Sequence, residues 1–166
     1  MFSKFQLERY VLDAIAVETN AKLNKEIKAH TANVETNIAV VRNEQDARRF
    51  VVKMAVNIVP QEGKEAEFVA YAVKVRGRGF FVFDAPPTKE DAEHSLSLNG
   101  AAILYGLLRG QVAQITAQCP HRQMLMPTLN FFEIQKRAVG KPEALVAAKP
   151  AAPKRGLKVK PMPASR

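Results

Sequence analysis

Apolar and polar side chains alternate with a period of two in four runs of the first half of the chain, the pattern of strands with one buried face. The first, residues 5–19 (FQLERYVLDAIAVET), is long, and its apolar phase changes from Leu12 to Ala14, which predicts a bulge there. The second, 33–43, sets Val34, Thr36, Ile38 and Val40 on one face. The third, 49–59, is the most regular, with Phe50, Val52, Met54, Val56 and Ile58 on one side and Lys53 and Asn57 on the other. The turn Pro60-Gln61-Glu62-Gly63-Lys64 leads to a fourth run, 66–76, so these last two predict a hairpin and the whole an antiparallel sheet.

The period then changes. After Pro86-Pro87, Thr88 is placed to accept a bond from the backbone of Asp91, a capping pair that opens a helix. Asn99-Gly100 is expected to interrupt it, and the second piece carries Ile103, Leu107, Leu108, Val112 and Ile115 near helical spacing. Gly106 and Gly110 each cost about 1 kcal/mol against Ala in a helix interior. They are either tolerated surface positions or the mark of a close helix contact. The helix breaks at Cys119-Pro120 and gives way to an apolar segment. The fold class is therefore α+β: a four-stranded antiparallel sheet, a long interrupted helix and a short C-terminal helix.

Composition adds a boundary to this picture. The chain has 166 residues, 47% hydrophobic and 25% charged, enough for one cored domain. No apolar run is long enough to cross a membrane, and the first residues lack a secretory signal pattern, so membrane insertion is not expected and a cytoplasmic location is. The single cysteine, Cys119, fits a reducing compartment. Of the net charge of +9, +8 lies in residues 136–166, where nine basic side chains face one acid. This region holds five of the ten prolines from residue 138 onward and little apolar periodicity. One folded domain, 1–138, followed by a disordered basic Pro/Ala/Lys-rich tail, 139–166, is the expected division.

Catalytic chemistry is not visible. His30, His94 and His121 have no spacing that would present paired metal ligands, so no metal site is expected. Cys119 and His121 are separated only by a proline, with no third group to orient them. There is no phosphate-cradling glycine loop, so neither enzyme activity nor a cofactor is expected. The run Arg76-Gly77-Arg78-Gly79-Phe80-Phe81-Val82-Phe83 partly matches a basic-Gly-aromatic strand that stacks RNA bases, but Phe81 stands where that motif wants a small residue. Its aromatics could equally fill a core or face another protein. Met124, Leu125, Met126, Leu129, Phe131 and Phe132 pose the same choice between a core plug and an adaptable binding surface.

Several of these features fall in a familiar order. The opening FQLERYVLDAIAVETN has the F-Q-x-x-R start of a known first strand, with Glu18 at its acidic end, and Gly79-Phe80-Phe81 matches a G-I-F strand end. In the ungapped run 100–131, Ile103-Leu104, Arg109, Ile115-Thr116, Leu125, Pro127 and Asn130-Phe131 sit at the matching positions. On these residues the chain resembles SecB, the bacterial export chaperone family, over about residues 5–135.

The resemblance implies an ATP-independent holdase for unfolded or precursor polypeptides, assembled as a homotetramer from two dimers. It implies a client-binding groove lined by Phe80, Phe81, Phe83, Met124, Leu125, Met126, Phe131 and Phe132, and an oligomer interface at Ile103, Gly106, Leu107 and Gly110. In the family, acids on the first and fourth strands meet the basic tail of the motor SecA. Here Glu18 and Lys74 occupy that partner-docking surface, with Arg76 and Arg78 following, and a reversed charge argues against SecA docking. A SecB-like chaperone dedicated to a toxin–antitoxin pair is the alternative, with an antitoxin as partner. Nucleic-acid binding through the basic tail is a further one.

Overall fold

The computed structural model describes residues 4–20, 32–60 and 70–139. Strands β1 (Phe5–Thr19), β2 (Ala32–Arg42), β3 (Arg49–Pro60) and β4 (Tyr71–Phe83) precede helices α1 (Lys89–Ser95), α2 (Ala101–Thr116) and α3 (Phe131–Val139). All three strand pairings are antiparallel, in the order β1-β4-β3-β2. The basic tail and the Pro60–Lys64 turn beyond Pro60 lie outside the described residues.

β3 forms as its alternation dictates: Phe50, Val52, Met54, Val56 and Ile58 are all buried, while Lys53 is exposed. β1 carries the expected bulge between Leu12 and Ala14, and a second between Leu7 and Arg9. The residues at the two irregularities are acids. Asp13 pairs with Arg78 of β4 at 2.7 Å, and Glu8 reaches across the sheet to Arg49 of β3 at 3.1 Å. An irregular position re-aims its side chain, here onto a cation of β4 for Asp13 and, one strand further, of β3 for Glu8.

β4 differs from expectation. It spans Tyr71–Phe83, residues 66–69 of the expected run lying outside the described residues, and it continues through the arginine–glycine–aromatic run, so the Gly79-Phe80-Phe81 segment is strand interior. Glycine weakens a strand locally, but both glycines face the helices. A Cβ on Gly77 would lie 2.8 Å from Leu108 Cδ2 and 3.0 Å from the Val11 carbonyl oxygen. Bare backbone at that point is what lets α2 seat against the sheet.

The Thr88 cap forms as read, with the Asp91 N–H donating to Thr88 Oγ1 at 3.1 Å and the hydroxyl donating back to Asp91 Oδ2 at 2.7 Å. Asn99-Gly100 does not break the helix. Leu96–Gly100 instead makes one wider π-helical turn, with helical φ and ψ at its flanking residues, and α1 runs on into α2. That turn shifts the buried stripe: Ala101, Leu104, Tyr105, Leu108, Val112 and Thr116 are buried. Ile103 is 43% exposed, and Leu107 and Ile115 are half-buried.

The helices cover one sheet face only. The wide turn packs near β2 and β3, while α2 crosses to β4 and β1, where Gln111 Nε2 donates to the Tyr10 hydroxyl at 3.2 Å. No described helix is long and apolar enough to cross a membrane.

Candidate client-binding surface

Between α2 and α3 the chain turns back as an irregular strap, 117–130, held by polar bonds in place of secondary structure. Buried Thr116 donates its hydroxyl to the Val112 carbonyl at 2.8 Å and accepts from the Met124 N–H at 2.9 Å. Gln123 Nε2 donates to the Ala113 carbonyl at 3.2 Å, and the His121 N–H donates to the Tyr71 hydroxyl at 3.0 Å. The Tyr105 hydroxyl donates to the Pro127 carbonyl. These bonds press Met126 fully into the core and leave Leu125 outside, 62% exposed. α3 then packs Phe131 edge-on against Tyr105, at 5.7 Å between ring centres, and turns Phe132 outward, 50% exposed, beneath the Lys136 ammonium.

The eight expected groove residues therefore divide. Phe81, Phe83, Met126 and Phe131 are buried in the core of the single chain. Phe81 and Phe83 fall on inward positions of β4, because that strand extends further than its glycines suggest, and both pack against Phe5. Leu125 and Phe132 are exposed, and Met124 is half-buried. Phe80 is half-buried on the other sheet face, so the fold does not bring it to the strap.

The sheet edges are unlike each other. β1 is broken twice by irregularities, whereas β2 pairs with β3 in continuous register from Ala32 to Arg42. Among the described residues no strand pairs on the outer side of β2, and an edge of that kind can template an added strand. The wide turn packs against both α3 and β2.

The remaining expected positions are separate. Ile103, Gly106, Leu107 and Gly110 share the outward side of α2, and a Cβ on either glycine would meet nothing within 4 Å. Glu18 and Lys74 are both exposed on the sheet face away from the described helices, two positions apart in the β1–β4 register. Among the described residues no cluster of three or more His, Cys, Asp or Glu could hold a metal ion.

Sequence reasoning missed Tyr105 and Thr116, the two side chains that anchor the strap. Thr116 carried a signal, a hydroxyl on the apolar face of a helix just before Cys-Pro. Burial pushes the Tyr105 hydroxyl up to about 12, against the opposing effect of the Arg109 charge. Burial also raises that of Tyr71. A raised folded value means that the neutral form is favoured by folding. Stability from Tyr105 is thus full below about pH 10 and is lost as pH rises toward 12. Tyr105→Phe is expected to cost about 1 kcal/mol near neutral pH, through the lost bond to Pro127, and to flatten the alkaline fall. Urea unfolding near neutrality and near pH 11 measures both effects.

The chain matches the family model described as preprotein translocase subunit SecB over residues 3–141. Among solved structures it is similar to a Mycobacterium tuberculosis SecB-like chaperone in complex with a ChAD peptide from the HigA1 antitoxin. That match has TM-score 0.58 and 16% identity, covering 76% of this chain and 91% of that one. A Streptococcus agalactiae protein of unknown function aligns with TM-score 0.42 and 10% identity, covering 75% of this chain and 97% of that one. No curated protein matches significantly.

Proposed function

The chain belongs to the SecB family of preprotein translocase subunits, and on that premise we propose that it is an ATP-independent holdase for unfolded polypeptides, acting in the cytoplasm. What supports this reading is the exposure of Leu125 and Phe132, together with a β2 strand in continuous register at the end of the sheet order. An extended client would bond through its backbone to β2 and lay alternate apolar side chains against Met124, Leu125 and Phe132. That mode demands no particular client sequence. Holding needs only binding to the unfolded state, by mass action, so no catalytic group or cofactor enters.

The test is aggregation of a chemically denatured enzyme, followed by light scattering without nucleotide. A molar excess of the chain suppresses scattering; undiminished scattering would overturn the proposal. A dedicated toxin–antitoxin chaperone is the second reading. The antitoxin peptide held by the structurally similar mycobacterial chaperone favours it. A chain that protects one antitoxin and leaves unrelated denatured clients to aggregate would decide for it.

Assembly as a homotetramer would use the outward side of α2. With open space around Gly106 and Gly110, Ala at both positions would raise helix stability by about 1 kcal/mol each in a lone subunit. Across a close helix contact the added methyls would instead weaken association. Sedimentation of Gly106→Ala with Gly110→Ala is expected to show smaller assemblies. Unchanged size with a higher unfolding midpoint would refute this interface.

A further inference from the structure

Even-numbered positions of β4 point away from the helices, and no described element packs over them. Lys74, Arg76 and Arg78 occupy three successive positions of that face, about 7 Å apart along the strand. Lys53 of β3 stands directly opposite Arg78. Like charges placed opposite one another destabilise a sheet. Only one of the four is neutralised: Arg78, whose Nε donates to both Asp13 carboxylate oxygens at 2.9 and 3.0 Å. Lys53, Lys74 and Arg76 are exposed and have no ion pair among the described residues.

From this we infer that the bare sheet face docks an acidic, extended segment of a partner protein, with Lys53, Lys74 and Arg76 as its recognition charges. Alternate residues of an extended segment repeat at the same spacing as Lys74, Arg76 and Arg78, so an acidic side chain at every second position would meet them in register. Other occupants fit less well. The chain's own C-terminal region, +8 by sequence, is repelled by the cations of this face. Nucleic acid would want an open aromatic for stacking, but the one aromatic on this face, Phe80, is covered by the Arg9 guanidinium at 4.2 Å from its ring centre.

The inference concerns a face apart from the proposed client surface and is tested separately. A fluorescent peptide of alternating Glu and Ala is titrated with the whole chain at low salt, about 0.05 M, where exposed charges are least screened. Lys74→Glu with Arg76→Glu is expected to weaken binding about tenfold or more, and to create affinity for the alternating Lys and Ala peptide. Its unfolding midpoint and its suppression of client aggregation stay as in the parent, because Arg78 and Asp13 are untouched. Unchanged peptide affinity would overturn the inference. So would loss of binding only when Lys154, Arg155, Lys158 and Lys160 are changed to Ser, since the tail would then be the site. An oligothymidylate of equal charge that displaces the peptide through the same two residues would assign the face to nucleic acid instead.

Discussion

A chain carrying Leu125→Asp and Phe132→Asp unfolds near the parent midpoint but suppresses client aggregation about tenfold less per mole, as light scattering will show. Both side chains are at least half exposed, 62% and 50%, so little folding free energy rests on them. In a client complex each would bury an apolar surface worth about 1.5–3 kcal/mol in water-to-apolar transfer. Only part of that appears as affinity, because ordering the client and the side chains opposes it. A carboxylate at either place adds the penalty of desolvating a charge without a partner. The Lys136 ammonium, 4.3 Å from the Phe132 ring centre, would lose a weak surface contact at most. Full suppression by this variant would move the client site elsewhere. Met126→Ala gives the contrast, because that side chain lies wholly in the core and its loss lowers stability first.

Leu108→Ala destabilises the fold by about 3 kcal/mol, a large fraction of the 5–15 kcal/mol typical of a domain. Leu108 is fully buried and fills the space over Gly77, where the strand has no side chain that could collapse into the hole. Urea unfolding is expected to show a lower midpoint at nearly constant slope. Leu107→Ala, one position along the same helix but half-buried, should cost well under half as much. Gly77→Ala alone drives a methyl to 2.8 Å from Leu108 Cδ2, yet in the Leu108→Ala background that methyl enters vacated space. The double variant is thus expected to be less destabilised than the sum of the two single changes. Additive losses would mean that α2 does not seat on Gly77.

Strand and helix identity could be read wherever local pattern and tertiary environment ask for the same thing. The inward residues of β3 alternate without exception, and the Leu12–Ala14 phase change is itself the mark of a bulge. The Thr88–Asp91 cap needs only groups within one turn of chain, so it too was legible. The candidate client surface was half legible. The strap's apolar cluster could be named, but not which of its members would face water.

The sequence by itself determined the order of elements, the buried face of the central strand, the concentration of charge beyond residue 135, and enough spaced matches to place the chain in its family. Only the tertiary structure decided the rest. β4 outruns its glycines because Leu108, distant in sequence, makes their lack of a side chain an advantage. The α2 stripe rotates away from Ile103 because one π-helical turn inserts about one extra residue, and a helix advances about 100° per residue. Met126 goes inward and Leu125 outward because Tyr105 and Thr116 hold the strap by bonds to its backbone, which the identities of the strap's own side chains do not encode. Asp13 neutralises Arg78 and leaves Lys74 and Arg76 without an ion pair among the described residues because a bulge aims it there, a choice made by register between strands and by no local propensity.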